Sequence, residues 1–200
     1  ICAEIPTNNG NKLMLDLGAN VDCSPQQLYQ FAVLGTHTAK LALGIAKPSV
    51  RLLNVGSEAG KGNNLVQATA AMLEHDDSLN YQGFIEGDGI FQGRADVIVC
   101  EGFSGNVALK AGEGVARHIY QKLSKLSAGQ EQQFADLKSS IQPSLFNGAY
   151  LLGINGVVVK SHGGADVQGF GNALERAINA ARQQLPSALA PELEKTIKVN

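Results

Sequence analysis

The stretch VIVCEGFSGNVALKAGEGVARHIY (97–120) runs from four apolar residues into a knot of small and polar ones, then into a helical pattern. An apolar run of this kind reads as a strand buried on both faces, as in a parallel sheet. Residues 101–106 supply an acid, two glycines, an aromatic ring, a hydroxyl and an amide. Beyond them Val115, Ile119, Leu123 and Leu126 keep the helical period. A helix is therefore expected over 106–126, with Gly112 and Gly114 weakening its early turns. Strand, tight turn and helix in succession are the building unit of open α/β sheets.

The unit recurs on both sides. KLMLDL (12–17) reads as a strand, Gly18-Ala19-Asn20 as its turn, and Ser24 as the start of a helix. Pro25 falls at the first helical position and Gln27 completes an S-x-x-Q capping box. Leu28, Phe31, Leu34 and Leu41 follow at roughly helical spacing, and Gly44 is the expected stop. VRLLNV (50–55) is the next strand, followed by the polar loop GSEAGKGNN (56–64) and a helix over 65–73. YQGFI (81–85) is a weaker strand because Gly83 interrupts it. A second helix is expected over 131–141, before Pro143. GVVVK (156–160) is the last strand, and SHGGAD (161–166) leads into a helix with Val167, Phe170, Leu174, Ala177 and Ala181 on one face. From Pro186 a short terminal helix or tail is expected.

Units at 12–44, 50–74, 95–126 and 155–185 predict one α/β domain over 1–200, with an open, mostly parallel sheet and helices on both faces. Such sheets bind ligands at the carboxyl ends of their strands. That places GANVDC (18–23), GSEAGKGNN, EGFSGN (101–106) and SHGGAD on one rim.

The bulk composition narrows the function. With 44% hydrophobic and 17% charged residues in 200, the chain has the makings of a core and is not a disordered segment. A net charge of −2 gives no field to draw nucleic acid, and no nucleic-acid partner is expected. Arg117, Lys122 and Lys125 share one helix and read as a solvated face. Cys2, Cys23 and Cys100 are odd in number and lack C-x-x-C spacing, so free thiols in a reducing cytoplasm are expected. A nucleophilic role for Cys100 stands as a minor alternative. No His, Cys and carboxylate cluster has metal-ligand spacing, and no metal is expected. No apolar segment is long enough to span a bilayer, and ICAEIPTNNG (1–10) has neither a basic n-region nor an apolar h-region. The absence of an initiator Met suggests a piece of a longer chain, or a processed one.

The loops suggest an anion. Helix N-termini present unpaired N–H groups and partial positive charge, and glycine lets backbone approach a ligand oxygen. Lys61, between Gly60 and Gly62 and followed by Asn63, would add a full charge. It is not in a P-loop, since position 62 is Gly where Ser or Thr is required, and no G-x-G-x-x-G follows the first strand. Ser104 resembles a nucleophile elbow, but G-x-S-x-G needs Gly at 106, which is Asn106, and His162 precedes Asp166 in the wrong order. A hydroxyl that caps a helix or touches an anion is the better reading. His162, beside Lys160 and Gly163, reads as a general acid, a phosphate ligand or a structural loop residue. Asp16 and Asp88 read as capping groups or ligand contacts, and His37 and His75 as surface residues. Against all of this, small residues after strands are ordinary βα-turn chemistry.

LDLGANVDC (15–23), LLNVGSEAGKGN (52–63), ADVIVCEGFSGNVALKAGEG (95–114) and NGAYLLGINGVVVKSHG (147–163) resemble, in order and spacing, the PlsX family of bacterial phosphate acyltransferases. The resemblance covers nearly the whole chain. It implies a three-layer αβα sandwich similar to isocitrate and isopropylmalate dehydrogenases, without nicotinamide or any other cofactor. It implies transfer of a fatty acyl group from acyl carrier protein to inorganic phosphate, giving acyl phosphate for phospholipid synthesis. It further implies a cytoplasmic homodimer with loose peripheral membrane association in some members. The family's N-terminal portion, with a D-A-M-G-G-D block, has no counterpart here, so the chain resembles roughly the C-terminal two-thirds. The polar segment 126–143 offers few apolar residues to a bilayer.

Chemistry and loop position then suggest roles for individual residues. Phosphate is placed among Gly105, Asn106 and the following amides, with Lys61 and Lys160 as charges. Asn20 and Asn106 are candidate oxyanion donors, and His162 protonates the departing thiolate or orients phosphate. Gly60, Gly62, Asn63, Ser104 and Gly163 line the substrate loops. Arg117, Lys122 and Lys125 are candidates to dock an acidic carrier protein. The alternatives are a phosphotransacetylase-like enzyme using acyl-CoA, and an inactive fragment that only dimerises.

Overall fold

The computed structural model describes residues 1–125, 134–140 (138–140 as backbone only), 142 and 147–197. Among these, seven strands form one sheet: β1 (Cys2–Thr7), β2 (Gly10–Leu15), β3 (Ser49–Leu53), β4 (Asn80–Ile85), β5 (Val97–Val99), β6 (Ala149–Tyr150) and β7 (Val159–Lys160). Their order is β4-β3-β5-β2-β1-β6-β7. The helices are α1 (Pro25–Ala42), α2 (Asn64–Glu74), α3 (Gly102–Leu123), α4 (Ala135–Ser140), α5 (Val167–Arg182) and α6 (Leu185–Ile197), with a 3-10 turn at Gly87–Gln92.

The apolar run at 97–99 sits in the middle of the parallel part, between β3 and β2. Its register sets Val97 beside Leu13 and Val50, and Val99 beside Leu15 and Leu52. These residues face one core with Leu28 and Ala32 of α1, Val66 and Leu73 of α2, and Leu189 of α6. Ile98, Met14, Ile5 and Ala3 face a second core, which Ala108 and Leu109 of α3 and Ile90 of the 3-10 turn help to cover. Burying one such aliphatic side chain is worth about 1.5–3 kcal/mol, so the period-2 alternation of these strands fixes both layers.

α1 begins as its sequence dictates. Ser24 and Gln27 form the reciprocal capping box and Pro25 opens the helix. Midway along it, a Cβ on Gly35 would come within 2.5 Å of Val97 Cγ1, so the helix lies directly on β5. Asp96 joins three strands at their starting ends. Its carboxylate accepts from Lys12 Nζ (2.7 Å), Ser49 N (2.8 Å) and Ser49 Oγ (2.7 Å).

The sheet is mixed. β2, β3, β4 and β5 run parallel, and β1 is antiparallel to β2, β6 to β1, and β7 to β6. Thus β1 and β7 run against the other five strands, and SHGGAD leaves β7 heading away from the rim that the other three loops share, although the register sets Lys160 level with Ala149, Ala3 and Met14. The expectation of four loops on one rim holds for three of them. β1 has no counterpart in the sequence reading. It forms a hairpin with β2 through Asn8 and Asn9, with Gly10 at φ +81°. Thr7 Oγ1 donates to the Gly10 carbonyl (2.6 Å). The strand expected at 156–160 contracts to β7, and its lost residues Val157 and Val158 are partly exposed.

α3 starts one turn earlier than expected, at Gly102, because Glu101 supplies the cap. The helix expected over 131–141 appears as α4 where it is described, and Leu126 lies outside the described residues. On α5 the expected apolar face is uncovered: Val167 is 92%, Phe170 60% and Leu174 52% exposed. The buried face carries Gly169, Ala173 and Ala180, whose small side chains let the helix close on Gly148.

Candidate functional site

β2, β5 and β3 are neighbours running in one direction, so the loops after them share a rim. The first two interlock. Asp16 is 1% exposed, and its carboxylate accepts from Asn20 N (2.6 Å), Asn20 Nδ2 (3.0 Å) and Ala19 N (3.2 Å). The loop so fixed offers the Asn20 carbonyl to Gly102 N (2.8 Å), the first amide of α3.

Two further amides of the first turn also have acceptors. Ser104 N donates to the Glu101 carboxylate (2.8 Å) and Gly105 N to the Glu101 carbonyl (3.0 Å). An E-x-x-S signal for this cap was present in the sequence. The glycines of this turn serve close packing, since a Cβ on Gly102 would stand 2.6 Å from the Asn20 carbonyl oxygen and one on Gly105 would overlap the Asp16 carbonyl oxygen. Ser104 lies beside them, half-buried, while Asn106 is exposed and rests against Gly18.

Lys61, Gly60, Gly62 and Asn63 stand on the third loop of the rim. Asn54 Nδ2 holds this loop through the carbonyls of Gly56 (3.0 Å) and Lys61 (3.0 Å), and Gln67 Nε2 also donates to Lys61 O. Gly62 takes φ +97°, with no room for a side chain beside Asn54. Asn63 caps α2, its Oδ1 accepting from Val66 N (2.9 Å). The structure does not bring this group into the cavity where Asn106, Lys160, His162 and Gly163 meet, and Asn20, Ser104 and Gly105 do not line that cavity either.

That cavity, of about 310 Å³, lies between α3 and the β6–β7 edge of the sheet. Asn106 and Lys110 of α3 line it together with Lys160, His162 and Gly163 from the end of β7. So the β7 loop, although its strand runs the other way, still reaches Asn106. Lys160 is exposed, and Lys110 pairs with Glu113 (2.8 Å). A second cavity of about 430 Å³ adjoins it, sharing Glu113, Asn147 and His162, with Arg117 and Tyr120 on its wall.

His162 is held at two points: its N–H donates to Asn147 Oδ1 (2.7 Å), and its Nδ1 accepts from Gly164 N (3.1 Å). Asn147 itself is 6% exposed and was missed by the sequence reading. Its partners Ser161 and Gly169 are far along the chain, so no local pattern announces it.

The arrangement suits binding and polarising an anion beside an acyl group. Lys160, an amide and an imidazole line one open space together with Lys110 and the Glu113 carboxylate paired to it. Cys100 plays no comparable part: it is buried, its Sγ lies 3.4 Å from the Asp16 carbonyl, and burial pushes its thiol well above the ordinary value. Cys2, likewise buried, is pushed up to about 12. Among the described residues no group of His, Cys, Asp and Glu is arranged to hold a metal ion, and no helix is long and apolar enough to cross a membrane.

The fold is that of an α/β protein similar to the phosphotransacetylase EutD of Staphylococcus aureus. The two superpose with a TM-score of 0.52 at 18% identity, over 94% of this chain and 53% of the other. The chain belongs to the fatty acid synthesis protein family, whose family model matches residues 1–188. It is 48% identical over 202 residues to a phosphate acyltransferase of Pseudomonas savastanoi pv. phaseolicola, covering 96% of this chain and 59% of the relative. Phosphate acyltransferases of Alkalilimnicola ehrlichii and Pseudomonas putida are 46% and 47% identical, covering 98% and 96% of this chain and 60% of each relative. The chain thus spans about three-fifths of the length of the curated relatives it matches.

Proposed function

We propose that this chain is the larger part of an acyltransferase that moves a fatty acyl group from acyl carrier protein to inorganic phosphate, for phospholipid synthesis. The observation that carries the reading is the convergence of Asn106, Lys110, Lys160 and His162 on one cavity. Membership of the family and the name shared by the relatives supply the reaction class. The isocitrate and isopropylmalate dehydrogenase likeness, a single domain over 1–200, a cytoplasmic homodimer and peripheral membrane contact belong to the same proposal. The uncovered apolar residues of α5 and of α3, Val107 and Val115 among them, support a further surface in contact with a second copy.

Hydrogen phosphate attacks the thioester carbonyl, a tetrahedral oxyanion forms, and the carbon–sulfur bond breaks. Phosphate is nucleophile enough without a covalent enzyme intermediate, so the protein's work is positioning and electrostatic stabilisation. Lys160 and Lys110 attract phosphate into the cavity. Asn106 and His162 stand beside it to hold phosphate or the oxyanion, whereas Lys61 and Asn20 lie outside the cavity. Arg117, Lys122 and Lys125 are exposed on or just beyond α3, where an acidic carrier would dock.

The test is thiol release by the full-length enzyme, with acyl carrier protein and acyl-CoA donors compared and phosphate varied. Asn106→Ala and His162→Ala are each expected to lower turnover by about 10²-fold, the worth of one oxyanion donor. Near-normal turnover in both variants sinks the site. A preference for acyl-CoA, or rates indifferent to added salt, removes the carrier protein from the reading.

A further inference from the structure

The carboxamide of Asn147 is fully engaged although no element of regular structure demands it. Oδ1 accepts from His162 N (2.7 Å), and Nδ2 donates to the Gly169 carbonyl (2.6 Å) and to Ser161 Oγ (3.0 Å). Both partners fix which end is oxygen: an N–H faces Oδ1 and a carbonyl faces Nδ2. Gly169 N is in turn held by Asp166 Oδ1 (2.7 Å), so one buried side chain ties the end of β7 to the first turn of α5. Within this turn Gly164 N–H points at His162 Nδ1 (3.1 Å). A ring nitrogen that accepts carries no proton, so neutral His162 has its proton on Nε2.

We infer that Asn147 is a positioning residue of the proposed site, and that the turn it builds makes His162 a neutral hydrogen-bond donor through Nε2 rather than an acid that delivers a proton. The inference rests on the acyl-transfer reading above. A proton-delivering imidazolium would carry hydrogen on both nitrogens, and its Nδ1–H would face Gly164 N–H head on. A neutral ring that gave up its Nε2 proton would become an imidazolate, far too strong a base. The reaction needs neither. Hydrogen phosphate brings one proton, the C–S electron pair leaves with sulfur, and the proton lost from the acyl phosphate is the one the thiol gains. The Nε2–H then serves to hold phosphate or the oxyanion in the cavity shared with Asn106 and Lys160.

Four measurements on the full-length enzyme test this. ¹⁵N imidazole spectra of the wild type are expected to show His162 as the Nε2–H tautomer; an Nδ1–H tautomer overturns the inference without any variant. His162→Gln, which places an amide N–H near the Nε2 position, is expected to retain roughly tenfold more turnover than His162→Ala; equal loss overturns the donor role. Asn147→Ala is expected to lower kcat by about 10²-fold, the scale of a misplaced catalytic group, and to blur the tautomer signal. In the His162→Ala background the same change is expected to cost less than about twofold, because the two act as a unit. Multiplying losses would make Asn147 merely structural. If His162→Ala alone keeps normal turnover, the acyl-transfer site falls, while the spectra still judge the Asn147 turn.

Discussion

EGFSGN (101–106) and SHGGAD (161–166) look alike as sequences, and they are built for opposite ends. Each follows a strand, holds two glycines, and enters a helix capped by an acid: Glu101 takes Ser104 N at 2.8 Å and Asp166 takes Gly169 N at 2.7 Å. In the first turn the glycines are buried against the backbone of the neighbouring loop. In the second, nothing lies within 4 Å of a Cβ on Gly163, and one on Gly164 would meet only the His162 ring, at 3.6 Å. Glycine means contact in one turn and room in the other. The contact makes a rigid rim, and the room makes a cavity mouth.

The sharpest way to break this contrast is Gly105→Ala. The added methyl would overlap the Asp16 carbonyl oxygen, which is backbone and cannot swing aside. α3 would have to lift from β2, and the expected loss is about 3 kcal/mol, the upper end of overpacking costs. Denaturant midpoints with an unchanged slope measure it. A loss under about 0.5 kcal/mol would mean that the first turn is as loose as the second.

What the sequence made legible follows the same division. The central strands, α1 with its capping box and α2 with its polar loop could be read because their apolar periods and caps are local. The β1 and β6 strands could not. The first is a hairpin arm behind an Asn-Asn turn, and the second is two residues long, held only by its neighbours. The reversed direction of β7 is not legible because strand direction depends on which neighbour a strand joins, and no residue in GVVVK records that. In the site, Asn106, Lys160 and His162 were nameable from loop chemistry. Asn147 was not, because its meaning lies in partners 14 to 22 residues away. Nor does loop chemistry alone tell that the Lys61 loop stays apart from them.

A smaller effect tests whether the rim is also held from beneath. Asp96 clamps β2 and β3 to the start of β5 through Lys12 and Ser49. Burial pushes its carboxyl up, but the Lys12 and Ser49 bonds outweigh this and leave it below its ordinary value. A depressed folded pKa stabilises above the unfolded value, about 4, and that stability is lost as pH falls through the lower folded value. Asp96→Asn is therefore expected to cost about 2 kcal/mol near neutral pH, as for a charge-assisted hydrogen bond. The gap from wild type narrows as unfolding is repeated at falling pH below about 4. A gap that stays constant with pH would show that the charge contributes nothing to the clamp.

The smallest change in stability belongs to Gly163→Ala. Its φ is not in the left-handed region and the space around its Cβ is open, so the unfolding free energy is expected to stay within about 0.5 kcal/mol of wild type. Function is another matter, because Gly163 lines the cavity with Lys160 and His162. A methyl there narrows the approach to both groups without touching either, so phosphate KM is expected to rise while kcat holds, the mark of lost ground-state binding. A cost of about 1 kcal/mol corresponds to roughly a fivefold rise in KM. If Gly163→Ala unfolds as readily as Gly105→Ala, the second turn is packed after all and the cavity is not its purpose. If stability and phosphate KM are both untouched, the room beside His162 is surplus, and phosphate must sit nearer Asn106 and Lys110.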